Sequence, residues 1–271
     1  MVASKGNNND KIITIPELDH VPNPRGLGYL FFTNMEKNKD KIAQIDAITG
    51  DKDTFGAFRQ RCIRTAITLR SRGLTSNDII AVFAANHLNC FVPTISSLFI
   101  GIKPVPLDPN LSLNDTIYLL KQINPKIVFV APEAVELMEN AVKELTGNVE
   151  IVVFGETDQY TPFSEFLRPK EEENSFEPVS PEDLKETALM FFSSGTSGFP
   201  KCVCVSHFAF MKQIYNTIDF GFDLSMSFLN SSIYWLVIAN FYGALAVTGK
   251  TRLFLPKFDA KVVWKKIHEY K

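Results

Sequence analysis

The chain has 271 residues, 45% hydrophobic and 21% charged, enough to bury a sizeable core in one large domain or two ordinary ones. Its formal net charge of -2, without a strong basic block, gives no electrostatic support to a nucleic-acid or anionic-membrane partner. The cysteines Cys62, Cys90, Cys202 and Cys204 form no CxxC or Cys/His ligand spacing, which argues against a disulfide scaffold and a zinc site and fits a reducing intracellular compartment.

Residues 1–24 read as a flexible leader, since MVASKGNNNDK is polar and lacks the apolar core of a signal peptide. From Thr54 the apolar residues Phe55, Phe58, Cys62, Ile63, Ala66 and Leu69 recur at three- and four-residue steps, predicting a helix that Gly73 can stop. A strand is expected over Ile79–Ala84, a helix over Leu88–Ile100 and an extended piece over Lys103–Leu107. Ser112 or Asn114 can cap a helix running through Ile123. Then come a buried strand at Ile127–Val130, a helix over Pro132–Leu145 with proline in its first turn, and a strand at Glu150–Phe154. This alternation predicts an α/β fold of mostly parallel sheets flanked by helices.

Between about 155 and 185 the texture changes to Pro, Ser, Glu and Asp, the mark of a loop-rich connection, with one short helix at Phe163–Leu167 and a solvated acidic run at Glu171–Glu173. Strands are expected at Ala188–Phe192 and Cys202–Val205, followed by a helix capped by Ser206 and reaching about Ile218. The period-2 spacing of Cys202 and Cys204 points both to one face of the strand, as buried small hydrophobes rather than a redox pair. Leu224 to Gly249 contains no charged residue and is long enough for a spanning helix, but Asn230, Ser231, Ser232, Asn240 and Gly243 and the lack of a preceding basic anchor favour a buried core segment. A strand at Thr251–Leu255 and a helix at Ala260–Tyr270 complete the chain.

The two strands around residue 197 are joined by SSGTSGFPK, Ser193 to Lys201. Gly195 and Gly198 permit backbone with positive φ and close approach of N–H groups to an anion, while the hydroxyls of Ser193, Ser194, Thr196 and Ser197 and the Lys201 ammonium supply further donors. The pattern suits nucleotide polyphosphate. It is not a Walker loop, because Phe199 and Pro200 separate the second glycine from the lysine and no Ser or Thr follows it. A flexible turn uses the same residue types, but the order of strand, hydroxyl-rich loop, Pro, Lys and second strand favours phosphate.

This loop resembles the phosphate-binding signature of the adenylate-forming superfamily: acyl-CoA synthetases, coumarate-CoA ligases, insect luciferases and peptide-synthetase adenylation domains. Asp53 to Phe58 resembles that family's early Thr-aromatic helix start, Gly101 to Pro109 its Gly-containing segment ending in Pro-x-x-Pro, and Ser231 to Trp235 its acyl-pocket segment. The resemblance spans Arg25 to Lys271, and it implies the incomplete amino-terminal part of the adenylate-forming fold over 25–271, without the carboxy-terminal lid domain. It further implies ATP, Mg2+ and coenzyme A as cofactors and a small-molecule carboxylic acid as partner, joined through an acyl-adenylate to a thioester. Carried over position by position, Ser193, Ser194, Gly195, Thr196, Ser197, Gly198 and Lys201 would hold phosphates, while Ser232, Tyr234 and Trp235 would line the acyl pocket; no metal ligands or catalytic residues are assigned.

Two positions depart from the family pattern. Cys202 stands where most members have glycine after the lysine, and Tyr234 and Trp235 stand where many carry histidine. The histidines His20, His87, His207 and His268 form no nucleophile or metal constellation, His207 reads as structural, and no Gly-x-Ser-x-Gly elbow is present. The adenine-binding segment, the ribose-binding aspartate and the lid lie beyond the position matching Lys271, so the expected missing partner is the carboxy-terminal half of the same enzyme. The readings are an amino-terminal ligase fragment or a truncated non-catalytic paralogue; luciferase activity is a family possibility only. The expected location is cytosol or peroxisome, although the terminal EYK is not the SKL peroxisomal address.

Overall fold

The computed structural model describes residues 20–193, 198, 200–222 and 224–270. Two sheets dominate. The first has five strands, β3 (Ile79–Phe83), β4 (Lys103–Leu107), β5 (Ile127–Val130), β6 (Glu150–Val153) and β7 (Thr161–Pro162), all parallel, in spatial order β4-β3-β5-β6-β7. Strands β3 and β5 are almost wholly buried, as expected for apolar runs covered on both faces. The second has four strands, β1 (Ile42–Asp46), β2 (Lys52–Thr54), β10 (Met226–Phe228) and β11 (Thr251–Phe254), in order β10-β11-β1-β2; only β1 and β2 are antiparallel. A separate antiparallel pair, β8 (Thr187–Ser193) and β9 (Lys201–Ser206), lies beside β4.

The helices follow their local signals. In α2 (Phe55–Ser71) the Thr54 hydroxyl accepts the Ala57 N–H, and the buried stripe holds Phe55, Phe58, Cys62, Ile63, Ala66 and Leu69. Ser112 caps α4 (Leu113–Ile123), which ends at Asn124 in the left-handed region. Ser206 caps α6 (His207–Asp219), and Asp259 caps α8 (Ala260–Glu269). The stretch expected as one helix from Pro132 is a 3-10 turn at Pro132–Ala134 followed by α5 (Val135–Val142).

The largest core cluster is built by α1 (Gly26–Lys37), α2, α3 (Val92–Phe99), α6 and α7 (Leu236–Thr248) against one face of the parallel sheet. A second cluster joins α4 and α5 to its other face, and a third fills the space between the mixed sheet and α8. Helix α1 crosses α3 closely because Gly28 has no side chain; a Cβ there would lie 2.2 Å from the Leu98 carbonyl oxygen.

Several expectations are refined. Helix α3 begins at Val92, since residues 88–91 form a turn, and α1, β1, β2 and β10 have no counterpart among the expected elements. Cys204 is exposed and Cys202 half-buried, so they are not a buried pair: of the two only Cys202 packs against the second core cluster. The acidic run is not merely solvated. Glu173 accepts hydrogen bonds from Arg64 Nε (2.7 Å), the Lys170 N–H (2.6 Å) and Gln60 Nε2 (3.1 Å), pinning the loop-rich connection onto α2. Among the described residues no helix is long and apolar enough to cross a membrane; the uncharged segment holds β10 and the 13-residue α7, which packs on α1 and α6.

Candidate functional site

The hairpin β8–β9 carries the hydroxyl-rich loop. Its register sets Lys201 directly opposite Ser193, so the loop's first hydroxyl-bearing residue and its closing lysine are cross-strand neighbours at the loop's root. Both are exposed. Gly198 has φ +133°, a conformation that side chains rarely adopt, and among the described residues none comes within 4 Å of where its Cβ would be. Ser194, Gly195, Thr196 and Ser197 lie outside the described residues. The loop's exit is tied to α4, because Gln122 Nε2 donates to the Pro200 carbonyl at 3.2 Å.

The hairpin is rigidly founded. Leu189 and Phe191 enter the largest core cluster, while Met190, Phe192 and Cys202 pack against the second. The Cys202 thiol is thereby pushed up to about 11, by burial and then by the neighbouring Cys204, and stays protonated at neutral pH. His207, directly after β9, accepts the buried Leu27 N–H on Nδ1 at 3.1 Å. Burial holds its pKa below the usual histidine range, against Glu186 and with Lys103. A ring that must stay neutral to accept this bond fixes α1 to the hairpin, the structural role expected of it.

The expected acyl-pocket residues sit at the entry to α7. Ser232 accepts the Trp235 N–H on its carbonyl at 3.1 Å, and the rings of Tyr234 and Trp235 are 4.7 Å apart. The Tyr234 phenol is raised by burial and by Asp108, a residue just past the carboxyl end of β4. Trp235 is 52% exposed and lines a cleft of about 490 Å3 between α6 and α7, with Gln213, Asn216, Thr217, Val237 and Asn240. Among the described residues, Ser193 and Lys201 at the loop root do not line this cleft.

Two residues escape any reading of the sequence. Asn86, buried just after β3, donates through Nδ2 to the carbonyls of Asn230 (3.2 Å) and Ser231 (3.0 Å), fastening the segment before Tyr234 to the parallel sheet. Arg252 is fully buried in β11, with its guanidinium 3.8 and 3.9 Å from Cys90 Sγ and over the rings of Phe254 and Phe91 at 4.4 and 4.9 Å. Among the described residues its Nε has no hydrogen-bond partner. An asparagine after a strand and an arginine inside one carry no periodic or motif signal that would reveal either role.

Among the described residues no group of three His, Cys, Asp or Glu side chains could hold a metal ion.

A family model described as AMP-binding enzyme matches residues 31–271. The luciferin 4-monooxygenase of Photinus pyralis is 28% identical over 173 residues, covering 61% of this chain and 32% of that protein. The 4-coumarate–CoA ligase 3 of Arabidopsis thaliana is 24% identical over 207 residues, covering 76% and 36%. The solved luciferase-like enzyme of the nonluminescent mealworm Zophobas morio superposes with TM-score 0.88 at 32% identity, over 93% of this chain and 59% of that one. The chain thus spans from about a third to somewhat over half the length of these relatives, and it corresponds to their amino-terminal portion. It belongs to the AMP-binding, adenylate-forming enzyme family.

Proposed function

We propose that this chain supplies the phosphate loop and part of the acid-binding surface of an ATP-dependent acid-thiol ligase, which forms an acyl-adenylate and then a coenzyme A thioester. The observation that carries the reading is the cross-strand pairing of Ser193 with Lys201 at the root of a loop whose Gly198 takes a positive φ. The reaction joins two anions: a carboxylate oxygen bonds to the α-phosphorus of ATP while the bond to pyrophosphate breaks. Backbone N–H groups, the loop hydroxyls and the Lys201 ammonium lower that repulsion and hold the leaving group in line. Magnesium, when bound with the nucleotide, supplies further positive charge to the phosphates. The coenzyme A thiol then takes the acyl group and AMP departs.

The acid is assigned to the Ser232–Trp235 side, where Tyr234 and Trp235 offer apolar faces with polar tips suited to a fatty chain or a flat ring. Asn86 keeps that segment in place. The reading is tested by incubating the natural full-length protein with ATP, Mg2+, coenzyme A and a panel of fatty and aryl acids, and following AMP and acyl-CoA by mass spectrometry. Acid-dependent AMP with a matching thioester is expected. AMP and light without thioester would replace ligase with luciferase activity, and no acid-dependent AMP would overturn the reading.

A further inference from the structure

The β8–β9 hairpin turns its two faces to different cores. Leu189, Phe191 and Val205 join the largest cluster, whereas Met190, Phe192 and Cys202 pack against the second. Side chains alternate along a strand, so Cys204, two residues after Cys202, emerges on the Cys202 face. The register sets Cys204 directly across from Met190, and Cys202 directly across from Phe192. Three sulfur atoms, from Met190, Cys202 and Cys204, therefore share one face of a two-stranded ribbon.

Their spacing suits a single ion. Directly opposed residues of an antiparallel pair, such as Met190 and Cys204, hold their Cβ atoms about 4.5–5.5 Å apart. Alternate residues of one strand, such as Cys202 and Cys204, are about 6.8 Å apart. Three sulfurs bound to one ion at about 2.3 Å each lie about 4 Å from one another. Every sulfur stands beyond its Cβ on a rotatable bond, which closes the difference. The two thiols already sense each other, since Cys204 is the cause, after burial, that raises Cys202. Neither is in a disulfide; Cys204 is exposed, and Cys202 and Met190 are half-buried, so an ion can enter from solvent at Cys204. Because no group of three His, Cys, Asp or Glu side chains could hold a metal among the described residues, a tetrahedral zinc site lacks its ligands here. Two thiolates and a thioether instead suit a soft ion of low coordination number.

We propose that the face of the hairpin carrying Met190, Cys202 and Cys204 binds one Cu(I) ion. On binding, each thiol S–H bond breaks, its proton passes to solvent, and the sulfur donates an electron pair to copper. Met190 Sδ donates a lone pair as a neutral third ligand, and the copper stays Cu(I) throughout. Phe192, on the same face, adds apolar surface beside the site. Strand β9 opens at Lys201, so the first thiolate ligand follows the closing lysine of the phosphate loop by one residue. The site uses none of the residues assigned to nucleotide or acid, and it stands whether or not the protein is a ligase.

The test adds the natural full-length protein, reduced and kept free of oxygen, to the coloured Cu(I) complex of bicinchoninate and reads the loss of colour as copper passes to the protein. Cys204→Ser changes an exposed side chain and Met190→Leu keeps the volume of a half-buried one, so both variants should melt with the wild-type protein. Cys204→Ser is expected to take up one Cu(I) fewer per chain, and Met190→Leu to hold that ion about tenfold more weakly. Zn(II) offered in place of Cu(I) should be retained equally by the wild type and by Cys204→Ser. Equal Cu(I) uptake by the wild type and Cys204→Ser, or an affinity unmoved by Met190→Leu, would overturn the proposal. So would native mass spectrometry that finds the ion shared between two copies of the protein, since the three sulfurs of one hairpin then do not complete the site.

Discussion

Glu173 shows how a single side chain organises a long connection. Burial raises its pKa, but Arg64, the Lys170 N–H and Gln60 together outweigh burial and hold the carboxyl below the usual range. A carboxyl with a depressed folded pKa stabilises above its unfolded value of about 4.3 and loses that contribution as pH falls through the folded value. Glu173→Gln is expected to lower stability at pH 7 by about 1–3 kcal/mol and to flatten the loss of stability below pH ~4.3, both readable by urea unfolding across pH. The two buried-side histidines act in a higher window. His207 and His87 both have folded pKa values below the unfolded value of about 6.5, so their contributions are complete above that pH and decline as pH falls, for His87 until about 4. Melting temperature should fall from pH 7 to pH 5, and His207→Gln should reduce that slope. The cysteines order themselves by exposure: alkylation is expected first at Cys204, slowly at Cys202, and at Cys62 and Cys90 only on unfolding, as peptide mapping would reveal. Labelling of Cys202 as fast as Cys204 would contradict the packing of β9.

At the scale of elements, helix contacts depend on a few close approaches. Gly28→Ala puts a methyl 2.2 Å from the Leu98 carbonyl, against backbone that cannot yield without shifting α1 off α3. A loss of about 3 kcal/mol or more in unfolding free energy is expected, compared with about 1 kcal/mol for Thr54→Ala, which removes only the cap of α2. These elements also show what the sequence makes legible. The amphipathic stripe and cap of α2, the apolar β3 and β5, and the β8–loop–β9 order are local patterns, and all three appear in the fold where local chemistry puts them. Helix α1 and strand β1 are different: α1 is apolar over GLGYLFF without a polar face of helical period, and β1 is only five residues whose partner β11 lies some two hundred residues away. Their identity is a tertiary fact. The same is true of Asn86 and Arg252, whose partners come from distant segments, whereas Ser193 to Lys201 form one continuous motif from which a phosphate site can be proposed on sequence alone.

At the scale of the whole molecule, the described residues form two sheets and their helices around three apolar clusters, with the β8–β9 hairpin beside β4. Helix α8 stands apart energetically: none of its residues is buried, and Trp264 is 65% exposed. Trp264→Ala is therefore expected to change stability by less than about 0.5 kcal/mol, and a larger loss in urea unfolding would mean that α8 is more closely packed than its exposure indicates. The central claim, however, concerns chemistry, and the most direct measurement is acid-dependent exchange of labelled pyrophosphate into ATP by the natural full-length protein, beside its Lys201→Met variant. The account predicts exchange that requires a carboxylic acid and falls at least tenfold in the variant. Exchange absent with every fatty and aryl acid, or undiminished without the Lys201 ammonium, would contradict it.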